Sequence, residues 1–138
     1  MRVFVYGTLK EGFHNHRCLE GATFVKQTRL ARPFRMFDTG GFPVLLPATE
    51  NKPGYFPTGE VYELPEGSIG RRILARLDAL EGEGRMYHRR VFLDAEGDAV
   101  SVYIGDDQVF RRLDNQPQPN TPRVIVDDEG CITYGRAA

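Results

Sequence analysis

The feature that most constrains the fold is an apolar run at residues 3–6, Val-Phe-Val-Tyr, which ends at a glycine. Successive β-branched and aromatic residues favour a strand that is covered on both faces. Gly7 tolerates a positive φ, so we predict a turn there that exposes backbone N–H groups and the Thr8 hydroxyl. A second glycine, Gly12, closes the segment. The stretch predicts either an ordinary turn after a central strand or a loop that holds a ligand.

Short segments that alternate apolar and polar residues recur along the rest of the chain, separated by glycine and proline. Such alternation is typical of half-buried strands. The segments predicted as strands are 22–31, 59–64, 87–94, 99–105, 123–127 and 131–135. The pattern therefore predicts a largely antiparallel β-structure.

Two segments are predicted as connections. Residues 38–59 are rich in glycine and proline, and their inner apolar part, FPVLLP, is expected to pack back over the sheet. Residues 113–122, LDNQPQPNTP, are expected to form an exposed loop. Because that loop is too short to divide domains and the chain has 138 residues, we predict one domain spanning residues 1–138.

Composition restricts the class of partner. The chain carries 18 basic and 19 acidic residues, for a net charge of −1. That balance gives no general attraction for nucleic acid or for an anionic membrane, so a small molecule is the expected partner. No apolar run approaches the length of a membrane span, and the N-terminal run is too short for a signal peptide. A cytoplasmic location is predicted.

The cysteines and histidines give no prediction of a metal site. Cys18 and Cys131 are expected to be free thiols, as in a reducing compartment. His14 and His16 have the spacing of some metal ligands, but no third ligand stands at suitable spacing nearby. His16 also lies near Cys18, but without an acidic partner it does not indicate a cysteine hydrolase. We predict no metal and no cofactor.

One helix is predicted over residues 69–82. Ser68 is a good N-cap, and Gly82 and Gly84 are able to end the helix. The apolar residues at helical spacing are Ile69, Ile73, Leu74, Leu77 and Leu80. On a helical wheel Glu81 falls at about 120°, inside their arc, whereas Asp78 falls at about 180°, at its edge.

A carboxylate on the apolar side of a helix end has two interpretations. Glu81 either reaches outward and pairs with Arg85, Arg89 or Arg90, or it faces a cavity. In a cavity its charged form would be disfavoured, and its pKa would rise toward the range in which a carboxyl group transfers protons near neutral pH. The residues alone leave both interpretations open.

Several motifs occur together in a recognisable order. They are YGTL at 6–9, GFHNH at 12–16, GEVY at 59–62, LDALE at 77–81 and the pair Tyr87 and Arg89. Together they resemble the gamma-glutamylcyclotransferase-like family and, within it, the gamma-glutamylamine cyclotransferase branch. The resemblance covers residues 3–105, and the tail after Gly105 shows no clear match.

The resemblance implies an α+β fold, a small mixed or antiparallel β-barrel with one main helix. It also implies that Tyr6, Gly7, Thr8 and Leu9 form a substrate-binding loop at the mouth of the barrel. Glu81 would transfer protons while the α-amino group of a gamma-glutamyl amine or amide attacks its own δ-carbonyl. The products would be 5-oxoproline and an amine.

Two alternatives remain open. Tyr87 and Tyr103 either line the substrate pocket through their hydroxyl groups or pack inside the barrel. The chain is either this enzyme or a non-catalytic module that binds a small ligand on the same fold. The sequence predicts no oligomeric state.

Overall fold

The computed structural model of the protein describes residues 1–135, which form nine strands, two α-helices and one 3₁₀ turn. The strands are β1 (Arg2–Val5), β2 (Thr23–Arg29), β3 (Phe34–Asp38), β4 (Pro43–Pro47), β5 (Phe56–Glu63), β6 (Tyr87–Leu93), β7 (Ala99–Gly105), β8 (Val124–Val126) and β9 (Cys131–Tyr134). The helices are α1 (Gly67–Glu81) and the short α2 (Arg111–Asp114), and the 3₁₀ turn spans His16–Leu19. No helix within residues 1–135 has the length and apolar character needed to cross a membrane.

Strand β1 lies inside the main sheet, whose order is β6-β7-β1-β5-β9-β8. It pairs antiparallel with β5 and parallel with β7. Val3, Phe4 and Val5 are all buried, so the prediction of a strand covered on both faces is confirmed. The far edge of β5 is shared, because β2 pairs with residues 58–63 and β9 pairs with residues 56–57.

The predicted β-barrel is wrong, because no sheet among residues 1–135 closes on itself. Edge strands β2 and β6 meet only at one isolated bridge, between Leu30 and Asp94. The Ala31 N–H still donates to the Leu93 carbonyl, but the chain then bends toward Pro33, which has no N–H to continue a ladder. The fold is therefore an open, mixed α+β structure with one main helix.

A hairpin of β3 and β4 fills the space beside the main sheet. Leu45 is buried with Phe4 on one side, and Val44 is buried with Val3 and Val5 on the other. The sequence prediction treated residues 38–59 as a connection and so missed β4. Its prolines, Pro43 and Pro47, argue against an interior strand, but they are tolerated here at the two ends of an edge strand.

The predicted loop at residues 113–122 is exposed only in part. Arg35 on β3 is buried, and it donates hydrogen bonds to the carbonyl groups of Asp114 and Gln116. The Gln118 amide accepts a hydrogen bond from the Met36 N–H and donates one to the Met36 carbonyl, both at 2.7 Å. These contacts hold the segment against the outer edge of β3.

Helix α1 begins earlier than predicted. Gly67 has a φ of +81° and turns the chain ahead of Ser68, so Glu66 is the N-cap and Ser68 lies in the first turn. The predicted end is confirmed, because Gly82 adopts the left-handed conformation with a φ of +62°. The Glu83 N–H reaches back to the Asp78 carbonyl at 2.9 Å, which closes the last turn. Glu81 is therefore the final helical residue.

Candidate active site

A cleft lies between the last turn of α1 and the loop that follows β1. Its inner recess, with a volume of about 30 Å³, is lined by residues 6–9 together with Tyr103 and Glu81. An outer cavity of about 310 Å³ adjoins the recess and shares Thr8, Phe42 and Glu81 with it. The recess has room for about two water molecules, whereas the volume of the outer cavity reaches that of small-ligand sites.

Glu81 lies where the two cavities meet. It is half-buried, and burial raises the pKa of its carboxyl group to about 7. Within residues 1–135 no side chain or backbone group forms a hydrogen bond or an ion pair with this carboxylate. Arg89, one of the expected partners, pairs with Asp78 instead. The structure therefore favours the cavity interpretation of Glu81 over the ion pair.

The apolar arc predicted for α1 is confirmed only at its centre. Ile73 and Leu77 are buried, and Leu74 is half-buried. Ile69 and Leu80 are 58% and 43% exposed, so the prediction that they face the core is wrong. Ile69 lies in the first turn of the helix, and Leu80 lines the outer cavity. A helical wheel treats every turn alike, so it does not show which turns the rest of the protein covers.

The turn at Gly7 forms for a different reason from the one predicted. Gly7 does not have a positive φ, so its freedom to adopt one is not used. A Cβ on Gly7 would lie 2.5 Å from the Cγ of Pro43, which leaves no room for any side chain. The positive φ in this segment belongs to Gly12, at +87°. The glycine of the loop is required by the packing of β4 against it.

The loop presents N–H groups with no partner. Its carbonyl groups are satisfied: Gly7 accepts from the Lys10 N–H, Thr8 from the Asn15 N–H, and Leu9 from the Nδ1–H of His16. By contrast, the N–H groups of Gly7, Thr8 and Leu9 donate to no acceptor within residues 1–135. Because buried N–H groups are almost always paired, these donors indicate a site for an anion or a carbonyl oxygen.

Two residues that organise the loop were missed by the sequence prediction. The Asn15 Nδ2 donates to the Thr8 Oγ1 at 3.0 Å, and the His16 Nδ1 lies 2.9 Å from the Leu9 carbonyl. His14 instead lines the outer cavity. The described residues contain no group of three or more His, Cys, Asp or Glu side chains that could hold a metal ion. The His14-Asn15-His16 segment therefore shapes the cleft, and its signal in the sequence was the proximity to the YGTL motif.

The three tyrosines at the cleft have already donated their hydroxyl hydrogens within the protein. Tyr6 donates to the Tyr103 carbonyl at 2.6 Å, Tyr87 to the Pro43 carbonyl at 3.1 Å, and Tyr103 to Asp78 at 2.7 Å. Burial raises the pKa of all three phenols, and the negative charge of Glu81 raises the pKa of Tyr6 and Tyr87 further. They stay neutral near pH 7 and form rigid walls.

A polar cluster anchors the end of α1 to the sheet. Arg89 on β6 donates to both carboxylate oxygens of Asp78, and Tyr103 on β7 donates to one of them. Asp78 is the main cause of a raised pKa for the Arg89 guanidinium. The cluster lies about one helical turn before Glu81 and therefore fixes the turn that carries it.

Comparison with known proteins identifies similar chains. A family model described as "Gamma-glutamyl cyclotransferase, AIG2-like" matches residues 3–124, so the similarity continues past Gly105 into the tail. The human protein named gamma-glutamylaminecyclotransferase is 31% identical, over 98% of this chain and 78% of its own length. A protein of Niallia circulans named gamma-L-glutamyl-butirosin B gamma-glutamyl cyclotransferase is 39% identical, over 81% of this chain and 68% of its own length. The resemblance drawn from the sequence motifs is confirmed.

Solved structures share the fold. A crystal structure of an AIG2-like protein from Mus musculus superposes with a TM-score of 0.61 at 25% identity and covers 99% of this chain and 97% of the mouse chain. An uncharacterized protein from Pyrococcus horikoshii has the same TM-score at 18% identity, with 84% of this chain and 98% of its own chain covered. The second match shows likeness of fold alone.

Proposed function

We propose that this chain, which belongs to the gamma-glutamyl cyclotransferase, AIG2-like, family, converts a gamma-glutamyl amine or amide into 5-oxoproline and a free amine. Family membership confirms the prediction of a cyclising enzyme. The observation that carries the particular reaction is the position of Glu81, an unpaired carboxyl group with a pKa of about 7, across the cleft from three unpaired N–H groups.

The substrate supplies its own nucleophile. Its α-amino nitrogen attacks the δ-carbonyl carbon, a C–N bond forms, and the five-membered ring of 5-oxoproline closes. The C–N bond to the departing amine then breaks. Because the attack is intramolecular, the protein mainly has to fold the substrate into the reactive geometry, where effective molarities reach about 10⁵–10⁸ M. No serine or cysteine nucleophile is needed.

Glu81 transfers the proton that the two nitrogens exchange. Its carboxylate accepts a proton from the attacking nitrogen, and the resulting carboxylic acid donates it to the departing nitrogen. An ammonium substrate also loses one proton to water before the attack. The released amine takes up one proton from water after it departs. A pKa of about 7 suits both directions, because neither protonation state is strongly favoured at neutral pH.

The loop after β1 binds the polar end of the glutamyl group. The N–H groups of Gly7, Thr8 and Leu9 suit either the α-carboxylate or the oxyanion that forms at the δ-carbonyl, since both accept several hydrogen bonds. Tyr6, Tyr87 and Tyr103 bind the substrate through their rings and through oxygen lone pairs, because their hydroxyl hydrogens are donated elsewhere.

The test separates cyclisation from hydrolysis and from simple binding. Wild-type protein is incubated with gamma-glutamyl amides, and the products are identified by mass spectrometry. We expect 5-oxoproline and the amine from each substrate that is consumed, and no reaction with the matched amides of glutaric acid, which lack the α-amino group. Release of glutamate instead, or cleavage of the glutaric acid amides, would show hydrolysis. Binding without turnover of any gamma-glutamyl amide would support the non-catalytic module.

A further inference from the structure

The two walls of the outer cavity differ in chemistry. One wall carries polar groups, which are the Thr8 hydroxyl, the Asn15 amide and the His14 ring. The other wall carries Phe42, Leu80 and Met86, which are 37%, 43% and 39% exposed. Large apolar side chains that line a cavity and remain exposed indicate contact with an apolar ligand group.

The cleft is also poor in charge. Within residues 1–135, Glu81 is the only Asp, Glu, Lys or Arg side chain that lines the recess or the outer cavity. No Lys or Arg is there to pair with a carboxylate on the departing amine. No second acidic group is there to pair with an additional ammonium group. A charged end group on the tail would therefore find no Lys, Arg or second acidic side chain in the described part of the cleft to pair with.

We infer that the departing amine of the substrate is a small amine with an uncharged, apolar carbon chain, which lies against Phe42, Leu80 and Met86. This inference rests on the proposed function. The glutamyl group takes the polar side, because the free N–H groups of the loop and the Thr8 hydroxyl lie there. The scissile bond then lies beside Glu81, where the two cavities meet, and the carbon chain extends along the apolar wall.

The arrangement of the apolar wall supports a chain of modest size. The Phe42 ring packs against Tyr87, with ring centroids 6.2 Å apart, and Met86 packs over Gly82, where a Cβ would lie 3.1 Å from the Met86 Cγ. The outer cavity of about 310 Å³ must also hold part of the glutamyl group. A short alkyl chain fits the remaining space against these apolar side chains.

The test compares three monoamides of glutaric acid that differ only at the end of the tail: n-butyl, 3-aminopropyl and 2-carboxyethyl. Their affinities for the wild-type protein are measured by calorimetry. We expect the n-butyl amide to bind at least about fourfold more tightly than either charged amide, since it buries at least one more carbon and each buried methylene group strengthens binding about fourfold. Equal or tighter binding of a charged amide, or no measurable binding of the n-butyl amide, would overturn the inference.

Two matched variants locate the contact on α1. Leu80→Ser removes an apolar side chain from the cavity wall, and Ile69→Ser removes one that is exposed on the same helix but lines neither cavity. We expect Leu80→Ser to weaken binding of the n-butyl amide about fivefold and to leave the charged amides unchanged. Ile69→Ser is expected to change all three affinities less than twofold. Equal losses in the two variants would also overturn the inference.

The design separates this inference from the proposed function. Glutaric acid amides have no α-amino group, so their order of affinity is measured without turnover. A preference for charged tails together with 5-oxoproline release from gamma-glutamyl amides would overturn only the apolar amine. A preference for the n-butyl tail without any 5-oxoproline release would overturn only the reaction.

Discussion

Asp78 and Glu81 are two carboxylates on the same face of the same helix end, yet their surroundings are opposite. Asp78 accepts hydrogen bonds from Arg89 and Tyr103, and it forms an ion pair with Arg89. Glu81 has no such partner within residues 1–135, and burial alone raises its pKa to about 7. A paired carboxylate holds structure together, whereas an unpaired one beside a cavity is able to gain and lose a proton. One turn of helix thus separates a carboxylate that is held in a polar cluster from one that lies beside a cavity.

The largest expected effect is on turnover. Glu81→Gln keeps the size of the side chain but removes its ability to transfer a proton, so kcat should fall about 10²–10⁴-fold. Affinity for a glutaric acid amide should change little, because in the proposed complex the loop N–H groups bind the ligand and the Glu81 charge does not. The assay is 5-oxoproline release, with the exposed Glu83→Gln as the control. If turnover stays within a few-fold of wild type, Glu81 is not the proton carrier.

The second effect is the pH dependence of the free enzyme. In the proposed reaction attack requires the Glu81 carboxylate, and the pKa of Glu81 is about 7, so kcat/KM should rise with pH through that value. Between pH 5 and pH 8 the contribution of Glu81 should be about a hundredfold, after correction for ionisation of the substrate amino group. NMR titration of the Glu81 carboxyl carbon gives the same pKa directly. A value near or below that of an exposed glutamate would argue against the desolvated site.

A third effect concerns stability. The Glu81 pKa is raised from 4.5 to about 7 on folding, so the folded state binds the extra proton and the wild-type protein loses stability as pH rises between these values. Glu81→Gln has no such loss. By pH 8 it should be more stable than wild type by about 3 kcal/mol, whereas at pH 4 the two should be similar. Urea denaturation measures the free energy of unfolding of both proteins at both pH values. A difference between the two proteins that is the same at pH 4 and pH 8 would contradict the prediction.

The smallest effect should come from Asp78, and it should have the reverse pattern. Asp78→Asn leaves the half-buried Arg89 without its charged partner, so the free energy of unfolding should fall by about 1–2 kcal/mol. Turnover should fall less than tenfold, since Glu81 is untouched. Denaturation and 5-oxoproline assays on the same preparation test both parts. A loss of turnover as large as that of Glu81→Gln, in a variant that remains folded, would contradict the prediction that the reaction tolerates a weaker anchor for the last turn of α1.

Sequence reasoning placed Glu81 on the side of α1 that lines the cavities because the periodicity of a helix relates residues that are close in the chain. The helical wheel placed Asp78 at the edge of the apolar arc and gave no partner for it. The partners of Asp78 lie on strands β6 and β7, and only the pairing of those strands brings them to α1. The same limit applies to Gly7. Its neighbour Pro43 lies on a hairpin that the sequence pattern did not reveal, so steric contact was mistaken for a need for positive φ.

Most strands were predicted because alternation of apolar and polar residues is a local signal. The barrel was predicted wrongly because closure depends on how two distant edges meet, and here the two edges form one isolated bridge, between Leu30 and Asp94, in place of a continuous ladder. The hairpin of β3 and β4 was missed because its strands are buried on both faces, which removes the alternation, and because prolines mark its ends.

The contact between Gln118 and Met36 has a consequence for behaviour in concentrated solution. The outer edge of β3 would otherwise offer the Met36 N–H and carbonyl to a strand from another molecule. The primary amide of Gln118 has the same donor and acceptor as a peptide group, and it occupies both positions, while Phe34 on the same edge is occupied by Tyr55. An unoccupied strand edge is a template for aggregation. Here Gln118 and Tyr55 together occupy the edge at Met36 and Phe34, so we expect the hairpin beside the cleft to resist edge-to-edge polymerisation.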